Sequence, residues 1–169
     1  RLALRGALFW DDVRDFVNVR RWTDDDHVDH YRAENVGHVV RKGLEVSADY
    51  QVDAWDVSLA YGLVHAENQE TGRRVEGIAP QTVNARIARH VAPLDLDLWY
   101  RFRWEDASSV DRRRDSSYDA FATHAVGAVW APRIPNFWDF TAGVAVENLT
   151  NEKFRYAGES RGYARAVRF

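Results

Sequence analysis

The sequence predicts an all-β protein, an antiparallel transmembrane β-barrel meander of about eight strands, and three observations carry the prediction. From Leu94 to Glu105 every even position is large and apolar or aromatic, while the odd positions are charged except at Trp99. A period of two makes a strand with one apolar face and one ionic face. At about a dozen residues this stretch exceeds the usual soluble strand and matches the ~9–11 tilted residues that cross a bilayer in a barrel. The second observation is that no helix competes. The longest purely apolar run, Ala125 to Ala131, falls far short of the ~20 residues of a spanning helix, and no segment holds a helical period. Third, short and long connections alternate along the chain, as in a barrel with tight turns at one rim and extended loops at the other.

Each strand follows from its alternation. The first runs from Leu2 to about Arg20, with Leu2, Leu4, Leu8 and Trp10 in one phase and a bulge expected at Asp11 and Asp12, where the phase slips. The second begins near Tyr31 and ends as Leu44, Val46, Ala48, Tyr50 and Val52 against Glu45, Ser47, Asp49 and Gln51. In the third, Trp55, Val57, Leu59, Tyr61 and Leu63 share a face, and in the fourth Val83, Ala85 and Ile87. The Leu94 stretch is the fifth. Tyr118 to Ala131 is the sixth, apolar on both faces; Phe140, Ala142, Val144 and Val146 mark the seventh, and Gly162 to Phe169 closes the chain.

The connections 51–54, 91–94 and 131–138 are short, whereas 21–30, 67–79, 106–117 and 150–161 are long and charged. In an outer-membrane barrel the short turns face the periplasm. Tyr50, Trp55, Trp130 and Trp138 then belong to the inner aromatic girdle, and Tyr100, Trp104 and Tyr118 to the outer one.

Composition fits this class. With 29% charged residues and a mean hydropathy of -0.51, a helical membrane protein is excluded. A barrel with a polar lumen keeps such hydropathy together with high aromatic content, here 13% with seven Trp. A net charge of -3 gives no electrostatic case for nucleic acid. Cysteine is absent, which removes disulfides and thiolate metal sites. Methionine is absent even at position 1, so the chain reads as a fragment or processed piece, with residues 1–169 forming one barrel portion. The competing reading is a soluble lipocalin-like barrel with its apolar face inward. Against it stand the length of the stripe, its aromatic ends and the many Arg and Asp on the opposite face.

Specific words in the sequence add to the periodicity. Glu147-Asn148-Leu149-Thr150-Asn151-Glu152-Lys153-Phe154 resembles a segment near the C-terminus of TonB-dependent outer-membrane receptors. Three further pieces fall in that family's order: Ala7-Leu8-Phe9-Trp10 through Asp15-Phe16-Val17, Asn35-Val36-Gly37 followed by Lys42-Gly43-Leu44-Glu45, and Gly77-Ile78-Ala79-Pro80. The final Phe169 is similar to the terminal aromatic read by the barrel-assembly machinery, with Tyr163 and Val167 completing that signal. The chain departs from the pattern at Arg165, where an apolar residue is usual, and at Phe154, where Tyr is commoner. The resemblance implies the C-terminal portion of a 22-stranded barrel, multi-pass in the outer membrane of a Gram-negative bacterium, with the plug and its TonB-contacting segment outside these residues. It implies no bound cofactor, and outer-membrane lipid, lipopolysaccharide and the assembly machinery as partners. Beside the resemblance, Gly43 is expected to relieve crowding or permit a bend, and Asn148 to bridge backbone groups where strand becomes loop.

Candidate chemistry is confined to a few clusters. Asp24, Asp25, Asp26, His27, Asp29 and His30 are the only dense set of metal-ligating types; imidazole with carboxylate suits first-row divalent metals, and His27 or His30 can serve haem as an axial ligand. The same cluster also reads as a solvated external loop, and no metal site is established by it. Arg112, Arg113 and Arg114 can meet an anionic ligand or lipopolysaccharide phosphates, or form a loop tip. Arg86, Asp95, Asp97, Arg101, Arg103 and Glu147 are expected as ion-pair ladders on the lumen wall. An enzyme is not expected: His124 lies near Ser116 and Ser117, but no nucleophile motif accompanies them. The expected function is TonB-dependent import of a ferric siderophore or haem, and the alternative is a self-contained eight-stranded structural or adhesive barrel.

Overall fold

Period-two patterns become paired strands throughout the computed structural model, which describes residues 1–26, 28–35, 37–111, 116–132, 140–154 and 164–168. In chain order the strands are β1 (Leu2–Val13), β2 (Val17–Thr23), β3 (Asp29–Asn35), β4 (Val39–Val52), β5 (Trp55–Asn68), β6 (Arg73–Arg74), β7 (Gln81–Val91), β8 (Leu96–Glu105), β9 (Ser108–Asp111), β10 (Ser116–Tyr118), β11 (Phe121–Trp130), β12 (Ala142–Glu147) and β13 (Ala166–Arg168). The main sheet is an antiparallel meander, β1-β4-β5-β7-β8-β11-β12-β13, with β6 attached to β5. Two separate hairpins, β2–β3 and β9–β10, stand off it. Among the described residues there is no α-helix, only a 3-10 turn at Ala92–Leu94. No described helix is long and apolar enough to cross a membrane, a test that leaves strands untouched.

The eight strands of the sheet path match the number expected, and their ends differ in instructive places. β1 holds unbroken register with β4 from Leu2–Tyr50 to Val13–Val39, passing through Asp11–Arg41 and Asp12–Val40, so there is no bulge at the aspartates. The apparent slip arises because the adjacent aromatics Phe9 and Trp10 occupy opposite faces. The strand ends just beyond Val13, where Asp15 adopts φ 55. What read as one long second strand is divided into β3 and β4 on either side of Gly37, at φ 82.

One register assigns every strand's faces. Leu44, Val46, Ala48, Tyr50 and Val52 of β4 pair with Leu63, Tyr61, Leu59, Val57 and Trp55 of β5, and the same row set continues through β7, β8 and β11. Each apolar run covers roughly nine residues, ~30 Å along a strand at about 3.3 Å per residue, which suits a tilted crossing of a ~25 Å band. Lys42, His65 and Gln81 mark where the run stops at the long-loop end. This face stays open: Leu8 is 84% and Leu4 71% exposed, and among the described residues only Val39 is fully buried. Left in water, that much apolar surface would forfeit about 25 cal/mol per Å². The sheet is therefore built to meet an apolar medium outside, not to enclose an apolar core.

The opposite face is polar, and two of its large rings rest on glycine. Phe9 pairs with Gly43 and Trp99 with Gly127, and in both cases a Cβ would collide with the partner ring. Gly43 thus relieves crowding, as its position suggested. The small apolar core, Val39, Ala66 and Val75 with Phe16 and Ile78, forms at the long-loop end, where the segments after β1 and β6 fold together. β1 and β13 lie at opposite edges of the sheet, so the described residues do not close into the self-contained barrel of the alternative reading.

Candidate functional site

At the tip of the β2–β3 hairpin, Asp24 organises the turn. Its Oδ1 accepts the amide N–H groups of Asp26 at 3.0 Å and Val28 at 2.9 Å, and its Oδ2 meets His30 Nε2 at 2.7 Å. The imidazole stacks on Trp22, with ring centroids 5.2 Å apart. The hydrogen bond from His30, then that from the Val28 amide, holds the Asp24 carboxyl below the ordinary carboxylate range. Asp24 and His30 are therefore brought together, but as a turn-locking pair. Asp26 enters through its backbone, and no set of three potential ligands converges anywhere among the described residues. His27, Arg112, Arg113, Arg114, Tyr163 and Phe169 lie outside the described residues. Val167 pairs with Val146 on the last strand.

Five of the six predicted wall residues, Arg86, Asp97, Arg101, Arg103 and Glu147, share the polar face. Arg101 Nη2 donates to both carboxylate oxygens of Glu147, at 2.9 and 2.8 Å, across the intervening strand β11. Arg103 pairs within its own strand with Glu105 at 2.7 Å. Asp97 meets His90 at 2.8 Å, and Arg86 stands opposite Arg101. Asp95 is not on the wall: it ends the 3-10 turn at φ 46. Sequence reasoning missed the pairs Arg5–Asp49 and Arg41–Asp11, the latter at 2.8 Å, on the same face. The signal was present as single charges in otherwise apolar or small odd positions of β1. Arg5, Asp49, Asp56 and Arg86 also border a depression of about 370 Å³ near the short turns.

Of the girdle expected at the short turns, Tyr50, Trp55 and Trp130 stand on the apolar face, and Trp138 lies outside the described residues. Tyr100 instead falls at the centre of the β8 run, bonded through its hydroxyl to His124 Nδ1 at 2.7 Å, and Tyr118 belongs to the β9–β10 hairpin. That places His124 on the apolar face. The Glu147 to Phe154 segment acts as a strand-ending clasp. Asn148, at φ 48 and 5% exposed, donates Nδ2 to the Glu152 carbonyl and accepts the Glu152 amide, both at 2.9 Å. Asn151 accepts the Arg165 amide at 3.0 Å, and Phe154 stacks on Phe121 at 4.2 Å.

This arrangement, a meander with an apolar outer face, an ionic inner face and hairpin loops at one rim, has a matching family. Residues 1–149 match the family described as TonB dependent receptor-like, beta-barrel. The chain belongs to the TonB-dependent receptor family. Solved structures of similar fold include the FrpB iron transporter from Neisseria meningitidis, at TM-score 0.70 and 17% identity. The copper transporter OprC follows at TM-score 0.77 and 15%, and a ferric enterobactin receptor from Pseudomonas aeruginosa at 0.73 and 17%. In each comparison 98% of this chain is covered and the chain spans 28% of the other protein. No curated protein matches the chain.

Proposed function

We propose that the chain is the C-terminal part of the barrel wall of an outer-membrane receptor that imports a scarce iron-bearing ligand, a ferric siderophore or haem, in a TonB-dependent cycle. The observation that carries this reading is the consistent two-faced register over eight strands in a TonB-dependent receptor barrel. A wall with lipid outside and polar pairs inside suits a passage that a plug fills, and the Arg101–Glu147 ion pair and the His90–Asp97 contact stiffen it. The short turns lie in the periplasm and the β2–β3 and β9–β10 hairpins outside the cell, where ligand arrives.

Ligand is taken at the loops and plug apex, and TonB acts through the plug of the same receptor. Phe169, with Tyr163 and Val167, serves the assembly machinery, and lipopolysaccharide phosphates are the anionic partner for Arg112, Arg113 and Arg114. Should haem be the cargo, His27 is the first residue to consider, since His30 Nε2 is already committed to Asp24. The iron transporter and the ferric enterobactin receptor among proteins of this fold support iron as cargo, and OprC makes copper the control.

The test is uptake by a strain lacking the receptor, compared with its complemented parent, using radiolabelled ferric siderophores, haem and copper. Loss of one ferric siderophore or of haem is expected. Selective loss of copper uptake alone would refute the iron assignment.

A further inference from the structure

The apolar face is interrupted by charge at Arg89. On β7 the run Val83, Ala85, Ile87 and Val91 breaks there, and the register places Arg89 beside Trp55 on β5 and Leu98 on β8. Its guanidinium carbon stands 5.0 Å from the centroid of the Trp55 ring. The acidic residues nearest in register belong to the other face and are engaged there: Asp97 with His90 at 2.8 Å, and Asp56 with Gln51 at 2.8 Å. Among the described residues Arg89 has no carboxylate partner. His124, the polar side chain in the corresponding run of β11, differs because Tyr100 bonds to it.

Depth explains why the charge is tolerated. Arg89 lies near the end of β7, and its neighbour His90 donates its amide to Ala54 in the adjacent short turn at 2.9 Å. An arginine facing the bilayer costs ~2–4 kcal/mol at the midplane and ~0–1 near the interface. At this height the aliphatic stem covers apolar surface while the head reaches the headgroups, the level at which tryptophan also settles. A guanidinium offers planar paired donors that fit phosphate oxygens, and cation–π contact with Trp55 keeps it on the outer face.

We propose that Arg89, held by Trp55, binds the phosphate of a phospholipid in the leaflet beside the short turns. The site rests on the orientation given above, which makes that leaflet the periplasmic one, where phospholipid is found.

The test uses the intact receptor, purified in mild detergent, incubated with phosphatidylglycerol and weighed by native mass spectrometry, each variant first shown to be folded by its heat-modifiable mobility. Arg89→Gln is expected to lower lipid retention about fivefold, the effect of one interfacial cation. Arg89→Lys should fall between the two, and Arg103→Gln, on the other face, should match the parent. Equal retention by parent and Arg89→Gln would overturn the site. Orientation is read separately from Asp53→Cys in the turn between β4 and β5, which should react with an impermeant maleimide only after the outer membrane is opened. Labelling in intact cells would overturn the orientation, and with it the choice of a phospholipid.

Discussion

Trp99 lies against Gly127, its register partner on the neighbouring strand, and a side chain on that glycine would occupy the space of the indole ring. Arg101 stands over the same ring at 5.4 Å and reaches on to Glu147. Glycine, ring, guanidinium and carboxylate thus link three strands on the polar face. Gly127→Ala should displace the ring and destabilise the folded barrel by about 1–3 kcal/mol, the usual cost of overpacking. Urea-dependent folding of the intact receptor into vesicles measures this. Adding Trp99→Ala should remove most of the penalty, giving a coupling of ~0.5–3 kcal/mol in the double-mutant cycle. Simple additivity would mean that the ring and the glycine do not interact.

The hairpin tip should loosen in acid. Because the Asp24 carboxyl is held low in the folded state, first by His30 and then by the Val28 amide, its stabilising contribution is complete above the unfolded value of about 3.9 and is lost as pH falls through the lower folded value. Amide exchange over residues 17–35, divided by the intrinsic rate at each pH, should therefore rise below about pH 4. Asp24→Ala should show the fast exchange already at pH 7. A tip equally protected with and without Asp24 would contradict the arrangement.

Asn148 should be sensitive in two separable ways. It holds Glu152 through a donor and an acceptor, and it does so at positive φ. Asn148→Ala loses both bonds and strains the backbone; Asn148→Gly loses the bonds alone. A cost of about 1–3 kcal/mol is expected for the bonds, with alanine worse than glycine. Equal stability of all three proteins in a denaturant titration would remove the clasp from the account.

The strands most legible in the sequence were those whose two faces meet different media. β4, β5 and β8 alternate cleanly because one side is apolar and the other charged, polar or small, and Trp99, the uncharged odd position of β8, lies on the face of Asp97 and Arg101. β2 and β3 were absorbed into their neighbours because a hairpin in a loop carries the same period as the wall, and only Asp15 and Gly37, both at positive φ, mark the breaks. The Asp24 and His30 pairing was visible as composition but not as geometry. Six residues of spacing become contact only when the turn closes. The ion pairs Arg5–Asp49 and Arg101–Glu147 depend on register between distant segments, which alternation within a strand does not specify.

The central claim is that this chain is a membrane wall with lipid on the even-numbered face of β8. Spin labels placed singly at each position from Leu96 to Glu105 of the intact receptor in native outer membranes test it most directly, by comparing collision with oxygen, which partitions into lipid, and with a water-soluble nickel complex. Oxygen accessibility should peak at Leu96, Leu98, Tyr100, Phe102 and Trp104, with the nickel signal peaking out of phase at Asp97, Arg101 and Arg103. Accessibility without a period of two, or with the phases exchanged, would contradict the account.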